Sequence, residues 1–409
     1  MENQNFLSIS LALIPFFIGV AGVLAKISFS NLKTLSLGAI SIVGVFLVIF
    51  VDINPPTNFL ACAVLIAGFC VLISQDRSQQ TSEFGSSSMI TLGLTLGTLL
   101  GQGFVGRFFL CLFLGYAAFS IAQEMRRSFR KTLTLIHFLF AIVLSLSSAM
   151  GSDSVKLLSG FFLAVTFLPL VPFHLPFVGM VENAKGALSS LWMVVWLAIG
   201  LAELNLIYPS LATDSLFYVG FLALITAFYA AMAALGQKKA NLFIAAATVA
   251  HVSVIWGLLN IFPNFPKWGI AFGVAVAFIL GGINLAFSFV RMRYGWQSIG
   301  KLPGLATPMP RFGTVMVLLV GLALFLPMVP TFTGLSGMPT IETVDINFIK
   351  IFLIFLAVWL GGGWFFMQML HQTAFGETRT DVPYSDLRLT EFTAVIILIL
   401  GAGYSGILY

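Results

Sequence analysis

The stretch FFLAVTFLPLVPFHLPFVGMVENAKGALSSLWMVVWLAIGLAE, from Phe161 to Glu203, decides the fold. It sets Pro169, Pro172 and Pro176 inside apolar, helix-forming sequence. Proline removes a backbone donor and clashes with the preceding turn, so a helix here must kink or break. Inside a bilayer a break is tolerated only where the freed backbone groups are buried in protein or line a wet cavity. A partial copy lies downstream: Phe167-Leu168-Pro169-Leu170-Val171-Pro172 returns as Phe325-Leu326-Pro327-Met328-Val329-Pro330. Two broken helices in corresponding places predict an internally repeated, transporter-type fold.

The rest of the chain agrees. Of its 409 residues 59% are hydrophobic and 9% charged, and the mean hydropathy is +1.03. Apolar runs of roughly 20 residues, each enough to cross a hydrocarbon core of roughly 30 Å, recur along the whole length. The fold class this predicts is an all-α polytopic membrane protein. The isoelectric point near 9.2 then reflects topology and not a nucleic-acid surface, and no nucleic acid is expected as a partner. Cys62, Cys70 and Cys111 fall inside apolar runs and read as small packing residues, not as disulfides or metal ligands. The first apolar run is long and its front end is acidic, so no removable signal peptide is expected.

Fourteen spans are predicted, near 5–25, 34–52, 57–75, 89–104, 107–123, 132–150, 157–179, 187–207, 215–235, 241–261, 268–290, 312–331, 347–371 and 391–408. Loops after odd-numbered spans carry 16 Lys and Arg residues; those after even-numbered spans carry 3, namely Arg107, Lys156 and Lys267. By the positive-inside rule both termini lie outside the cytoplasm, in a bacterial-type inner (plasma) membrane. The first proline motif lies in span 7 and the second in span 12. An odd offset of five makes the copies antiparallel, an inverted repeat. The expected domains are a three-helix extension at 1–88, five-helix repeats at 89–207 and 215–371, and a loop with a final helix at 372–409.

Four motifs, in order, carry a family resemblance. They are Pro169-Leu170-Val171-Pro172-Phe173-His174 with Leu175-Pro176; Phe243-Ile244-Ala245 through Thr248-Val249-Ala250-His251; Pro327 with Phe332 and Gly334; and Met369-Leu370-His371 through Phe375-Gly376, followed by Asp386-Leu387-Arg388-Leu389-Thr390-Glu391. Together they resemble the antiporter-like membrane subunits of respiratory complex I and its relatives, the Mrp-type antiporters and membrane-bound hydrogenases, over about 157–409. Ending after span 14, the chain looks like the shorter members, which lack a lateral helix. The resemblance implies a membrane-arm subunit with other membrane subunits as partners, and no cofactor or redox site of its own.

In that family the proton half-channels rest on a Glu in span five, lysines in spans seven and eight, and a Lys or Glu at the span-twelve break. Charged groups so placed shift one another's pKa and pass a proton along. This chain departs at each position. Span five has no acid, and Gly115 or a neighbour stands in its place. Phe167, Trp196 and Leu335 stand where the lysines and the span-twelve charge are expected. A charge at mid-bilayer costs roughly 2.5–3.5 kcal/mol or more. Apolar replacement is the outcome expected once the charges no longer work, so the fold is expected to persist with its central conduction path dismantled.

Other ionisable groups are candidates for an ion path. His251, in span 10, is either a titrating group or a neutral His bonded to the next helix. His174, beside the proline break, either takes part or caps freed carbonyls. Glu203, late in span 8, is expected to meet Lys156 or water. His137 and His371 lie near span ends, where interfacial solvation suffices. Lys350 is expected to snorkel outward, and Glu182 is expected to pair with Lys185. No phosphate loop, metal cluster or nucleophile constellation is present, so neither a metal nor a catalytic residue is expected. Two rival readings stay open: a non-conducting anchor for a redox or carbon-handling complex, and a free-standing secondary transporter.

Overall fold

The computed structural model describes residues 2–50, 56–75, 82–125, 128–259, 262, 264–295, 298–326 and 346–408. Fifteen α-helices run through the described residues: α1 Glu2–Leu24, α2 Phe29–Phe50, α3 Pro56–Ile73, α4 Ser82–Leu100, α5 Gly103–Glu124, α6 Phe129–Met150, α7 Asp153–Phe167, α8 Leu175–Asn183, α9 Leu188–Ile207, α10 Thr213–Gly236, α11 Ala240–Leu258, α12 Phe265–Tyr294, α13 Pro310–Phe325, α14 Ile346–Thr373 and α15 Leu389–Leu408. Each expected apolar stretch carries a helix, and the seventh carries two, α7 and α8, parted where Pro169 and Pro172 forbid continuation. Among the described residues nine helices are long and apolar enough to cross a membrane: α2, α3, α5, α6, α9, α10, α11, α12 and α14. Helices α1, α13 and α15 hold shorter apolar stretches.

The chain divides into two units. The first comprises Met1–Phe167 and Leu175–Pro209; the second comprises Leu168–His174 and Ser210–Tyr409. In the first, α9 packs on α3, α4, α7 and α8 and is buried along nearly its whole length. A helix apolar all round has no face to offer water, which makes it the core of its unit. Helix α1 lies along α4 at close range: a Cβ added to Gly93 would sit 2.5 Å from Phe16 N, and one at Gly19 2.7 Å from Ile90 N. Small residues let membrane helices approach to this distance, where dispersion and weak polar contacts replace a hydrophobic drive.

In the second unit α12 is the core, packed on α11, α13 and α15. One end of this unit is stitched by charge. Arg293 pairs with Glu391, and Asp386 accepts from the amides of Arg311 at 3.0 Å and Phe312 at 3.2 Å. Asp386 thereby satisfies the first donors of α13, which its own N-cap Met309 leaves open.

Candidate functional site

The site is best built from the carbonyls that the prolines release. In a continuing helix the carbonyl of residue 168 would accept from the amide of 172, but Pro172 has none. The indole of Trp256 on α11 donates to Leu168 O at 3.0 Å. At the end of α7, Trp196 of α9 donates its Nε1–H to Thr166 O at 3.1 Å. The amide of Val171 donates to Thr226 Oγ1 at 3.1 Å. These three backbone groups are thus met inside the protein, as a broken helix in lipid requires. His174 lies against Tyr229, with Nε2 3.5 Å from its hydroxyl.

Around Trp196 the first unit holds an aromatic cluster. The ring centroids of Phe167 and Trp196 are 4.6 Å apart, those of Phe113 and Trp192 5.3 Å, and those of Phe138 and Trp196 5.8 Å. Phe113 also touches Phe167 at 6.2 Å and Trp196 at 6.1 Å. All five side chains are at most 1% exposed. Phe167 and Trp196, singled out in sequence as lost charge positions, are therefore neighbours. Phe113, on α5, whose one acid is its last residue Glu124, completes the group. None of these five rings is a proton carrier; the indole N–H is a donor only and holds its proton at any physiological pH.

His251 on α11 sits 1% exposed. Its Nδ1 lies 2.8 Å from Ala247 O and its Nε2 3.1 Å from Ala323 O of α13. The residue four beyond Ala323 is Pro327, which has no amide N–H to offer that carbonyl. A neutral imidazole has one N–H and can donate to one of these carbonyls; an imidazolium donates to both.

Other expected site residues are placed differently. Glu203 does not meet Lys156. It pairs with Arg107 at 2.6 Å, both side chains largely buried, while Lys156 lies 3.5 Å from Asp153. A buried carboxylate needs a partner within reach, and α5 supplies a guanidinium that the sequence order hid. Glu182 does not pair with Lys185: Arg130 takes Glu182 at 2.8 Å and Glu124 takes Lys185 at 2.6 Å. Hydrogen bonding to Glu124 pushes the Lys185 ammonium pKa up. Lys350 does not snorkel. It is 5% exposed, donates to Phe217 O at 3.2 Å and lies 3.8 Å from the Phe217 ring centroid, where ring face and carbonyl replace water around the cation. His137 Nδ1 lies 3.0 Å from Leu133 O one turn back in α6, and His371 falls in the last turn of α14. Pro327, Pro330 and Leu335 lie outside the described residues. Among the described residues no three His, Cys, Asp or Glu side chains are grouped to hold a metal ion.

No family model matches the chain. It is 25% identical over 251 residues to NADH-quinone oxidoreductase subunit M of Rickettsia prowazekii, covering 59% of this chain and 50% of that one. It is 23% identical over 369 residues to the Rickettsia typhi subunit M, covering 86% and 72%. The chain thus spans about half the length of the first of these curated relatives. In fold it matches a chain of respiratory complex I from Thermus thermophilus with TM-score 0.73 at 15% identity, over 96% of this chain and 94% of that one. A chain of the membrane-bound sulfane sulfur reductase, an archaeal respiratory membrane complex, matches with TM-score 0.70 at 13% identity, over 95% and 74%.

Proposed function

We propose that this chain, a divergent relative of the antiporter-like membrane subunits of complex I-type assemblies, is itself a membrane-arm subunit of a complex I-like, NADH:quinone oxidoreductase-related energy-converting complex. It carries fourteen spans with both termini outside the cytoplasm of a bacterial-type plasma membrane, α7 and α8 being two halves of one span. The repeats at 89–207 and 215–371 run antiparallel, each holding one proline-broken helix. Its partners are other membrane subunits and the bilayer.

Within that assembly the first repeat does not conduct protons along the family's usual axis. The observation that supports this is the buried cluster of Phe113, Phe167 and Trp196. Phe167 and Trp196 stand on family charge positions, in a fold shared along 96% of the chain with a complex I chain. The second repeat keeps a buried histidine on α11, His251, whose two ring nitrogens face two carbonyls. If any proton moves through this subunit, His251 carries it. The same cluster equally suits a subunit that only anchors its neighbours.

Isolation of the native complex tests the reading. Mass spectrometry is expected to find membrane and redox subunits with this chain, and coupled proton pumping in the His251→Gln complex then separates conduction from anchoring. A chain that purifies alone and transports solute in liposomes would refute the assignment.

A further inference from the structure

One side of His251 is lined by phenyl rings. The ring centroid of Phe366, on α14, lies 6.0 Å from that of the imidazole. Phe365 follows at 4.7 Å from Phe366, and Phe243 of α11 meets the two edge-on, at 5.5 and 5.8 Å. All three phenylalanines are at most 2% exposed. Phe243 stands in the first turn of α11, just past Lys238 and Lys239. His251 comes eight residues later, roughly 12 Å along the helix axis. Phe366 touches both, so a row of rings runs from the lysine-bearing end of α11 to the imidazole. A phenyl ring offers no N–H, O–H or lone pair to a proton, and an apolar constriction keeps water out until it widens.

The helix that carries two of these rings is weakened one turn earlier. In α14, Gly361, Gly362 and Gly363 stand in succession. Packing asks for glycine at Gly361, where an added Cβ would come 3.0 Å from Ala231 Cβ. At Gly362 it would meet Leu324, Phe365 and Phe366 at an ordinary 3.9 Å, and at Gly363 nothing within 4 Å. Glycine weakens a helix interior relative to alanine. Two residues with room for a methyl group therefore loosen α14 without serving its packing, and Gly362 lies on the same face as Phe366, four residues on.

We propose that Phe366, backed by Phe365 and Phe243, is a gate that keeps water off His251 from the lysine-bearing end, and that α14 bends at Gly362 and Gly363 to open it. In the structure the gate is closed. Once the rings part, water reaches the imidazole and can exchange protons with it. Phe366 is a positioning residue and takes no proton itself. Its part in conduction rests on the reading of His251 as the proton carrier; access to the ring does not, and the experiment measures access.

The full chain is held in phosphatidylcholine nanodiscs in heavy water. Exchange at the imidazole carbon between the two nitrogens of His251 is followed by peptide mass spectrometry, with His137 of the first unit as internal reference. Phe366→Ala is expected to speed exchange at His251 about tenfold. Phe366→Leu, which refills most of the space, is expected to restore the slow rate, and His137 to keep its rate throughout. Gly362→Ala combined with Gly363→Ala is expected to slow His251 about fivefold to thirtyfold, the factor that two such helix increments give. Its methyl groups have room, so this variant decides the matter should Phe366→Ala fail to fold. An unchanged rate in Phe366→Ala, or equal acceleration at His137, overturns the gate; an unchanged rate in the glycine variant overturns the hinge. Pumping by the assembled complex that survives His251→Gln removes the proton role of His251 and leaves the gate standing on the exchange rates.

Discussion

Carbonyls beside two of the prolines pose one backbone problem, solved with different side chains. At the first, the carbonyls of Thr166 and Leu168 are met by the indoles of Trp196 and Trp256. At the second, the carbonyl of Ala323, whose helical donor would have been Pro327, is met by the imidazole of His251. Both devices supply an N–H to an orphan acceptor. An indole N–H never titrates, whereas an imidazole can take up a second proton and release it again. The group that meets the carbonyl at the first proline cannot change charge; the one at the second is an imidazole.

The largest expected effect tests that contrast directly. His251→Gln can still donate to Ala323 O but cannot titrate; if the ring carries protons, pumping by the assembled complex falls at least tenfold while electron transfer continues. Unchanged pumping would make both breaks structural alike. Next comes Phe167→Lys, which returns a cation to the aromatic cluster with no acid in α5 except its terminal Glu124. It is expected to destabilise the protein by roughly 2.5–3.5 kcal/mol, read as a lowered thermal midpoint, and to restore no conduction. Trp196→Phe and Trp256→Phe each keep a ring and orphan one carbonyl. About 1–3 kcal/mol of stability should go, with pumping unaffected; a loss of pumping would give the indoles a role beyond satisfaction. The smallest change is expected from Lys185→Gln, whose exposed pair with Glu124 contributes about 0.2–1 kcal/mol.

The proline spacing made the broken helix between α7 and α8 legible in sequence, because a missing amide is a local, covalent fact. Apolar run length placed the helices for the same reason: hydropathy is read one segment at a time. What sequence could not supply was the choice of partner across helices. Glu203 found Arg107, 96 residues away, and not Lys156. Lys350, near the start of an apolar run, turned inward to the Phe217 ring and not outward to water. Trp196 was readable as a lost lysine, but its bond to Thr166 O depends on how α7 meets α9. Asp386 belongs to a sequence motif, but its service to the amides of Arg311 and Phe312 depends on where its loop lies beside α13.

The indole-capped break has an electrical consequence. A membrane potential does work of about 2.3 kcal/mol per elementary charge per 100 mV, and only on charges that move or appear along the field. Trp196, Trp256, Phe113 and Phe167 carry none, and Arg107 with Glu203 sums to zero. The indole-capped break and its aromatic cluster therefore give the field nothing to act on. A proton on His251 would be a charge the field can feel.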